Sequence, residues 1–256
     1  MHIATLMDLI HELLNTFSCL HFSLIDPENQ TPKKAGEHAR VCQQYGTHTI
    51  MVGGSTVSKR QKVHETVKEI KKKLHIPVIL FPNSAVAISR NADYVFFMEL
   101  LNSLEYRYRG GEQLEGALLI KKWGIIPISM GYIVISTSTT PTTLEKRTQL
   151  DTIHQQDIEK AVKYAVYAEM RGMSCVYLEA GSNAEYPVAT NMVHAVSTAI
   201  DIPVIVGGGI KTADMAQEII DAGAKVIVNG TATEKNIQLI QQIIKRIGHA
   251  SPSSQK

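Results

Sequence analysis

The chain has 256 residues, 44% of them hydrophobic and 20% charged, which is enough apolar content for one large core. A formal net charge of +2 with no extended Lys/Arg block excludes a phosphate-tracking nucleic-acid surface; the densest run, KEIKKKLH from Lys68, reads as a solvated helix end. Three well-separated cysteines in apolar settings exclude a disulfide framework and imply a reducing, cytoplasmic setting.

No stretch reaches the roughly 20 apolar residues of a membrane span, so the chain reads as soluble. The ten histidines fall in neither HExxH nor HxH spacing, so zinc is not expected. The opening stretch MHIATLMDLIHELLNTF holds Asp8, His11 and Glu12 inside an apolar pattern and predicts an amphipathic helix. β-branched and aromatic runs then predict strands at Cys19–Ile25, His48–Val52, Pro77–Phe81, Tyr94–Met98, part of Ile126–Ile135, Ser174–Glu179, Pro203–Val206 and Lys225–Val228. Helical patterns lie between them, among them KRQKVHETVKEIKKKL, QDIEKAVKYAVYAEMRG and TADMAQEIIDAGA, and the last two reach glycines suited to a C-cap.

Eight β runs, each followed by a helix-like segment, predict an α/β fold: a (β/α)8 TIM barrel with an extra N-terminal helix. A doubly wound sheet would place its glycine fingerprint after the first strand, whereas here the glycines come late. With no linker and no repeat, residues 1–248 read as one domain and 249–256 as a disordered tail. The segment STSTTPTTLEKRT, from Ser136 to Thr148, is too polar and β-branched to assign and reads as mobile.

Barrel sites sit at the C-terminal ends of the strands, with phosphate often held by the loops after the seventh and eighth. PVIVGGGI and VNGT occupy those positions, so backbone N–H groups of Gly208, Gly209, Gly230 and Thr231 are candidates to cradle a phosphate without a lysine. In LIDP, alternation gives Leu24 and Asp26 one face, which sends Asp26 into the mouth; the alternative is a cap on the following turn. VGGST brings Ser55 to the same rim. One carboxylate, one hydroxyl and substrate phosphate oxygens suit Mg2+, which keeps several waters. In CVYLEAGSN, Tyr177 and Glu179 share a face, and Glu179 is the base candidate, the alternative being an ion pair with a barrel lysine. Asp93 and Asp201 stand just before strands, at the stability end, and read as caps.

Taken in order, HFSLIDP, MVGGST, PVILFP, FFMELLNS, MGYIV, YLEAGS, PVIVGGGI and VNGT resemble the motifs of the geranylgeranylglyceryl phosphate synthases, from about residue 19 to 235. The resemblance implies Mg2+-dependent transfer of a prenyl group, geranylgeranyl or similar, from its diphosphate to the 3-hydroxyl of sn-glycerol 1-phosphate, the first ether bond of archaeal-type lipids. It places Asp26 and Ser55 at metal positions. It places Tyr177, Leu178, Glu179, Ala180, Gly181, Ser182 and Asn183, with Gly208, Gly209, Gly230 and Thr231, at glycerol-phosphate positions, Tyr177 and Glu179 being catalytic. A homo-oligomer with at most peripheral membrane contact is expected. The prenyl tail needs an apolar groove, expected across the mouth by strands 2 to 4.

The sequence departs from the family pattern in places. Glu99 replaces a usual serine and is expected to bring negative charge near the diphosphate; Arg107 and Arg109 are candidates to compensate it, the alternative being plain surface charge. Asn83 and Asn183 replace glycines, and asparagine is the non-glycine residue that best tolerates left-handed backbone. The fifth loop lacks a customary glycine. Another phosphate-binding barrel enzyme (isomerase, aldolase or flavin mononucleotide binder) and an inactive binding barrel are the alternatives.

Overall fold

The computed structural model describes residues 9–230 and 236–248. Within them, parallel strands β1 (Leu20–Ile25), β2 (Thr49–Val52), β3 (Val78–Leu80), β4 (Tyr94–Leu100), β5 (Ile126–Val134), β6 (Cys175–Glu179), β7 (Val204–Gly207) and β8 (Val226–Asn229) close into a barrel in chain order. β1 pairs with β2 on one side and with β8 on the other, Leu20 standing opposite Val226. All eight expected strands are present, with ends shifted by one or two residues, and the fold is the (β/α)8 barrel.

Strand alternation sorts the core into an inside and an outside. Leu20, Phe22, Met51, Ile79, Phe96, Met130, Tyr177 and Val226 fill the interior. Their neighbours Ile25, Ile50 and Val78 meet α2 (Pro32–Gln44) and α3 (Arg60–Lys71), while Ile133, Leu178 and Val206 meet α6 (Ile158–Met170), α7 (Thr190–Ala199), α8 (Ala213–Asp221) and α9 (Gln238–Ile247). The expected N-terminal helix is described as α1 (Leu9–Leu14), whose Leu9 and Ile10 join the interior cluster; its first residues, 1–8, lie outside the described residues, as does the 249–256 tail. The helix-ending glycines Gly172 and Gly223 take φ of 74° and 109°, as a left-handed cap requires.

Three connections differ from expectation. β3 is followed by a single 3-10 turn, Ala85–Ala87, because Pro82, Asn83 and Ser84 open that connection with turn formers. After β4, a π-helical turn, Arg107–Gly111, runs into α4 (Glu112–Trp123). The unassigned fifth loop forms α5 (Thr143–Arg147), nucleated by a capping box in which Thr142 and Glu145 bond each other's backbone N–H.

The two aspartates at the stability end divide. Asp93 caps the start of β3 by accepting from Val78 N–H at 2.9 Å, and it pairs with Lys71 at 2.6 Å. At Asp201 the cap comes instead from Glu169, which accepts from the Asp201 and Ile202 N–H groups at 2.5 and 3.3 Å.

Candidate active site

A cavity of about 420 Å³ opens at the C-terminal ends of the strands. The parity of β1 delivers Asp26 to its wall, where Asp26 Oδ1 accepts from Glu28 N–H at 2.8 Å. The carboxylate lies flat against Gly54: a Cβ there would fall 2.1 Å from Oδ2. Ser55 follows on the same rim. Gly53 allows the ends of β2 and β3 to meet, since a Cβ at Gly53 would fall 1.8 Å from the Phe81 carbonyl oxygen.

β6 supplies the floor. Tyr177 and Glu179 face inward, while Leu178 and Ala180 turn out into the apolar layer beneath the helices, so their side chains do not line the cavity. Glu179 is 7% exposed. Its Oε1 accepts from Gly181 N–H at 2.6 Å and its Oε2 from Tyr132 O–H at 3.1 Å, with Tyr177 as a further donor. Burial raises its pKa above the ordinary carboxylate range, and these donors only partly offset the effect. Burial, followed by the Glu179 charge, likewise raises both tyrosines, which stay neutral donors. Tyr177 stacks on Phe81, and Tyr132 meets both rings edge-on, 5.2 Å from Tyr177, in a packed aromatic floor. No lysine pairs with Glu179 in these contacts.

The far wall is backbone. Gly181, Ser182 and Asn183 after β6, Gly208 and Gly209 after β7, and Gly230 after β8 line the cavity; Thr231 lies outside the described residues. Gly208 has φ +83°, and a Cβ would fall 2.6 Å from both Glu179 Oε1 and Gly181 N. Among the described residues Asn183 is the non-glycine residue with positive φ, 60°, the conformation expected where it replaces glycine. Asn83 needs no such tolerance. Its amide Nδ2 braces the loop after β2, donating to the Ser55 and Val57 carbonyls at 3.2 and 3.0 Å.

A second cavity of about 240 Å³ adjoins the first, with Ser55 on the wall of both. Val57, Met98, Leu100, Tyr108, Tyr132 and Leu144 form its apolar side, at the ends of β2 to β5, and Asn83, Arg107, Glu112, Gln113 and Arg147 its polar side. Glu99 is not in either wall. Alternation turns it outward, where it faces Arg171 at 3.6 Å, so it places no charge in the mouth. Arg107 pairs with Glu112 at 2.5 Å, and Arg109 is exposed.

Residues without a sequence signal complete the mouth. Asn229 donates from Nδ2 to the Ile210 carbonyl at 3.0 Å, tying the loop after β7 to the end of β8. That geometry leaves Asn229 Oδ1 as acceptor for His21 Nε2 at 3.3 Å, so the fully buried His21 carries its proton on Nε2, with Nδ1 2.9 Å from Thr47 Oγ1. Burial lowers the His21 pKa to about 3, so the ring is neutral.

Fold and site together define a class: a barrel enzyme with a glycine-walled cavity at the ends of its sixth, seventh and eighth strands and a buried carboxylate on its floor. The PcrB family model matches residues 11–249. The chain is 46% identical over 226 residues to the geranylgeranylglyceryl phosphate synthase of Pyrococcus horikoshii, covering 88% of this chain and 87% of that one. It is 40% identical over 249 residues to that of Thermococcus sibiricus, covering 95% and 96%. The solved (S)-3-O-geranylgeranylglyceryl phosphate synthase of Thermoplasma acidophilum, in complex with its substrate sn-glycerol-1-phosphate, superposes with a TM-score of 0.89 at 35% identity, over 95% of this chain and 99% of that one. The chain belongs to the PcrB family.

Proposed function

We propose that this chain is a prenyltransferase joining a long prenyl group, geranylgeranyl or similar, from its diphosphate to the 3-hydroxyl of sn-glycerol 1-phosphate, with Mg2+. The observation that carries the reading is the pair of cavities meeting at Ser55: one glycine-walled over a buried carboxylate, the other with an apolar side built by Val57, Met98, Leu100 and Leu144. The relatives' names and the glycerol phosphate in the Thermoplasma acidophilum complex support it.

In this reading Gly208, Gly209, Gly230 and Thr231 hold the acceptor's phosphate, and Gly181 to Asn183 enclose its glycerol. Glu179 accepts the proton of the 3-hydroxyl. The acceptor oxygen bonds to C1 of the prenyl chain as the bond from C1 to the diphosphate oxygen breaks. Tyr132 and Tyr177 fix the carboxylate's orientation, and the rise in its pKa on burial makes it a stronger base than an exposed carboxylate. The apolar side of the second cavity accepts the tail.

Asp26 and Ser55 fit Mg2+ in one specific sense. One carboxylate and one hydroxyl suit an ion that keeps waters and takes phosphate oxygens, and the described residues hold no cluster of three or more His, Cys, Asp or Glu for an all-protein cage. The ion's contribution when bound is to stabilise charge on the departing diphosphate. Among the described residues no helix is long and apolar enough to cross a membrane. Three free, buried cysteines support the reading of a cytoplasmic enzyme, taken as a homo-oligomer with at most peripheral membrane contact.

The test is incubation with Mg2+, sn-glycerol 1-phosphate and prenyl diphosphates of several lengths. An ether product and stoichiometric pyrophosphate are expected; release of pyrophosphate without ether formation, or no turnover of any donor, rejects the reading.

A further inference from the structure

We infer that Arg147, on the short helix of the fifth loop, is the residue that recognises the diphosphate of the prenyl donor. The inference rests on the proposed reaction and adds a role that neither the phosphate cradle nor the metal positions supply.

Position singles out Arg147 first. For transfer to occur, the donor's C1 must face the acceptor hydroxyl above Glu179 while its tail enters the second cavity, so the diphosphate must lie where the cavities meet. That boundary is Ser55, which lines both. Arg147 Nη1 donates to the Ser55 carbonyl at 2.6 Å, and α5 straddles the same boundary: Thr143 at its start lines the first cavity, Arg147 at its end the second.

Charge singles out the same residue. The described cations lining the cavities are Lys211, Arg107 and Arg147. Lys211 sits on the far wall and donates to the Glu185 carbonyl at 2.8 Å. Arg107 is neutralised by Glu112 at 2.5 Å. Arg147 has a carbonyl for its partner, and among the described residues no carboxylate forms an ion pair with it. An unneutralised guanidinium presents a planar fork that matches two phosphate oxygens, and its charge is greatest in effect where a diphosphate departs.

The fold explains how a loop holds it there. The Thr142–Glu145 capping box starts α5, and the exposed Arg147 ends it one turn later, over the rim rather than in the barrel.

The test separates recognition from bracing. Arg147→Gln keeps an N–H for the Ser55 carbonyl but removes the charge; Arg147→Lys keeps the charge but not the fork. Calorimetry with Mg2+ and inorganic pyrophosphate, and KM for the prenyl diphosphate, are expected to show losses of roughly 10- to 100-fold for Gln and a smaller loss for Lys. Affinity for sn-glycerol 1-phosphate should stay at the wild-type value in both. Wild-type pyrophosphate affinity in Arg147→Gln, or equal loss of both ligands, overturns the assignment. Failure of the reaction itself is distinguishable: pyrophosphate binding that depends on Arg147 in a protein that transfers no prenyl group supports the anion site and rejects the proposed chemistry.

Discussion

The two ends of the mouth are built on different principles. At the ends of β6 to β8 the walls are glycine backbone, drawn together by strand pairing and by the Asn229 and His21 bonds beneath. At the ends of β2 to β5 the walls are side chains, many of them carried on loops, a π-helical turn and a five-residue helix. Backbone pinned by a barrel accommodates one shape, and a phosphate head group has one shape. Side chains on irregular turns adjust, and an apolar tail asks for volume rather than direction. A large apolar residue stands exposed beside that second end, Tyr106 next to the π-helical turn at 71%.

The largest effect is expected at the floor that both ends share. Glu179→Gln keeps the size and the bond from Gly181 but removes the base, so single-turnover transfer should fall by roughly 10² to 10⁴ with glycerol-phosphate affinity retained. A carboxyl whose folded pKa is raised stabilises the fold fully below its unfolded pKa, and this is lost as pH rises through the folded value. Glu179→Gln should therefore gain stability relative to wild type from acid to neutral pH, read by urea unfolding at several pH values. Near-wild-type turnover would return Glu179 to a structural role.

Next is the backbone cradle. The described atoms nearest a Cβ at Gly230 belong to Leu24, at 3.4 Å or more, so Gly230→Val should fold and yet weaken sn-glycerol 1-phosphate by roughly 100-fold through loss of close approach. Gly208 is the contrasting position: positive φ and contacts of 2.6 Å mean that Gly208→Ala should also lower Tm, by strain. A Gly230→Val protein with unchanged calorimetric affinity would remove Gly230 from the cradle.

The buried support of that cradle is tested by acid. His21, held neutral with a pKa of about 3, gains no proton in the folded state when the unfolded chain does, so its contribution is present above about pH 6.5 and is lost as pH falls toward 3. Between pH 8 and pH 5 the loss is roughly 2 kcal/mol, and His21→Gln should flatten the unfolding curve by that amount. An identical acid slope in the variant would place the sensitivity elsewhere.

The smallest effect is at the boundary between the ends. Asp26→Asn should raise the Mg2+ needed for half-maximal activity by roughly tenfold and no further, since phosphate oxygens also hold the ion. Wild-type Mg2+ titration in that variant rejects Asp26 as a ligand.

The sequence by itself determined the features that local rules govern. Eight β runs, the alternation that sends Asp26, Tyr177 and Glu179 inward, the late glycines, and the tolerance of Asn183 for left-handed backbone were all legible, because each depends on a period or on one residue's conformational range. Alternation also carried information that motif spans obscure: Leu178 and Ala180 lie inside the stretch that the family resemblance assigns to glycerol phosphate yet face the helices, and Glu99 faces Arg171 rather than the mouth. Only the tertiary structure decided the rest. Closing the barrel brings Asn229 against His21 across a separation of 208 residues, and folding the fifth loop brings Arg147 onto Ser55 across 92. It likewise gathers Tyr132, Tyr177 and Gly181 around Glu179, setting its pKa through burial. Hydrogen bonds and desolvation act only between groups in contact, and no spacing along the chain records which distant residues the closed barrel makes neighbours.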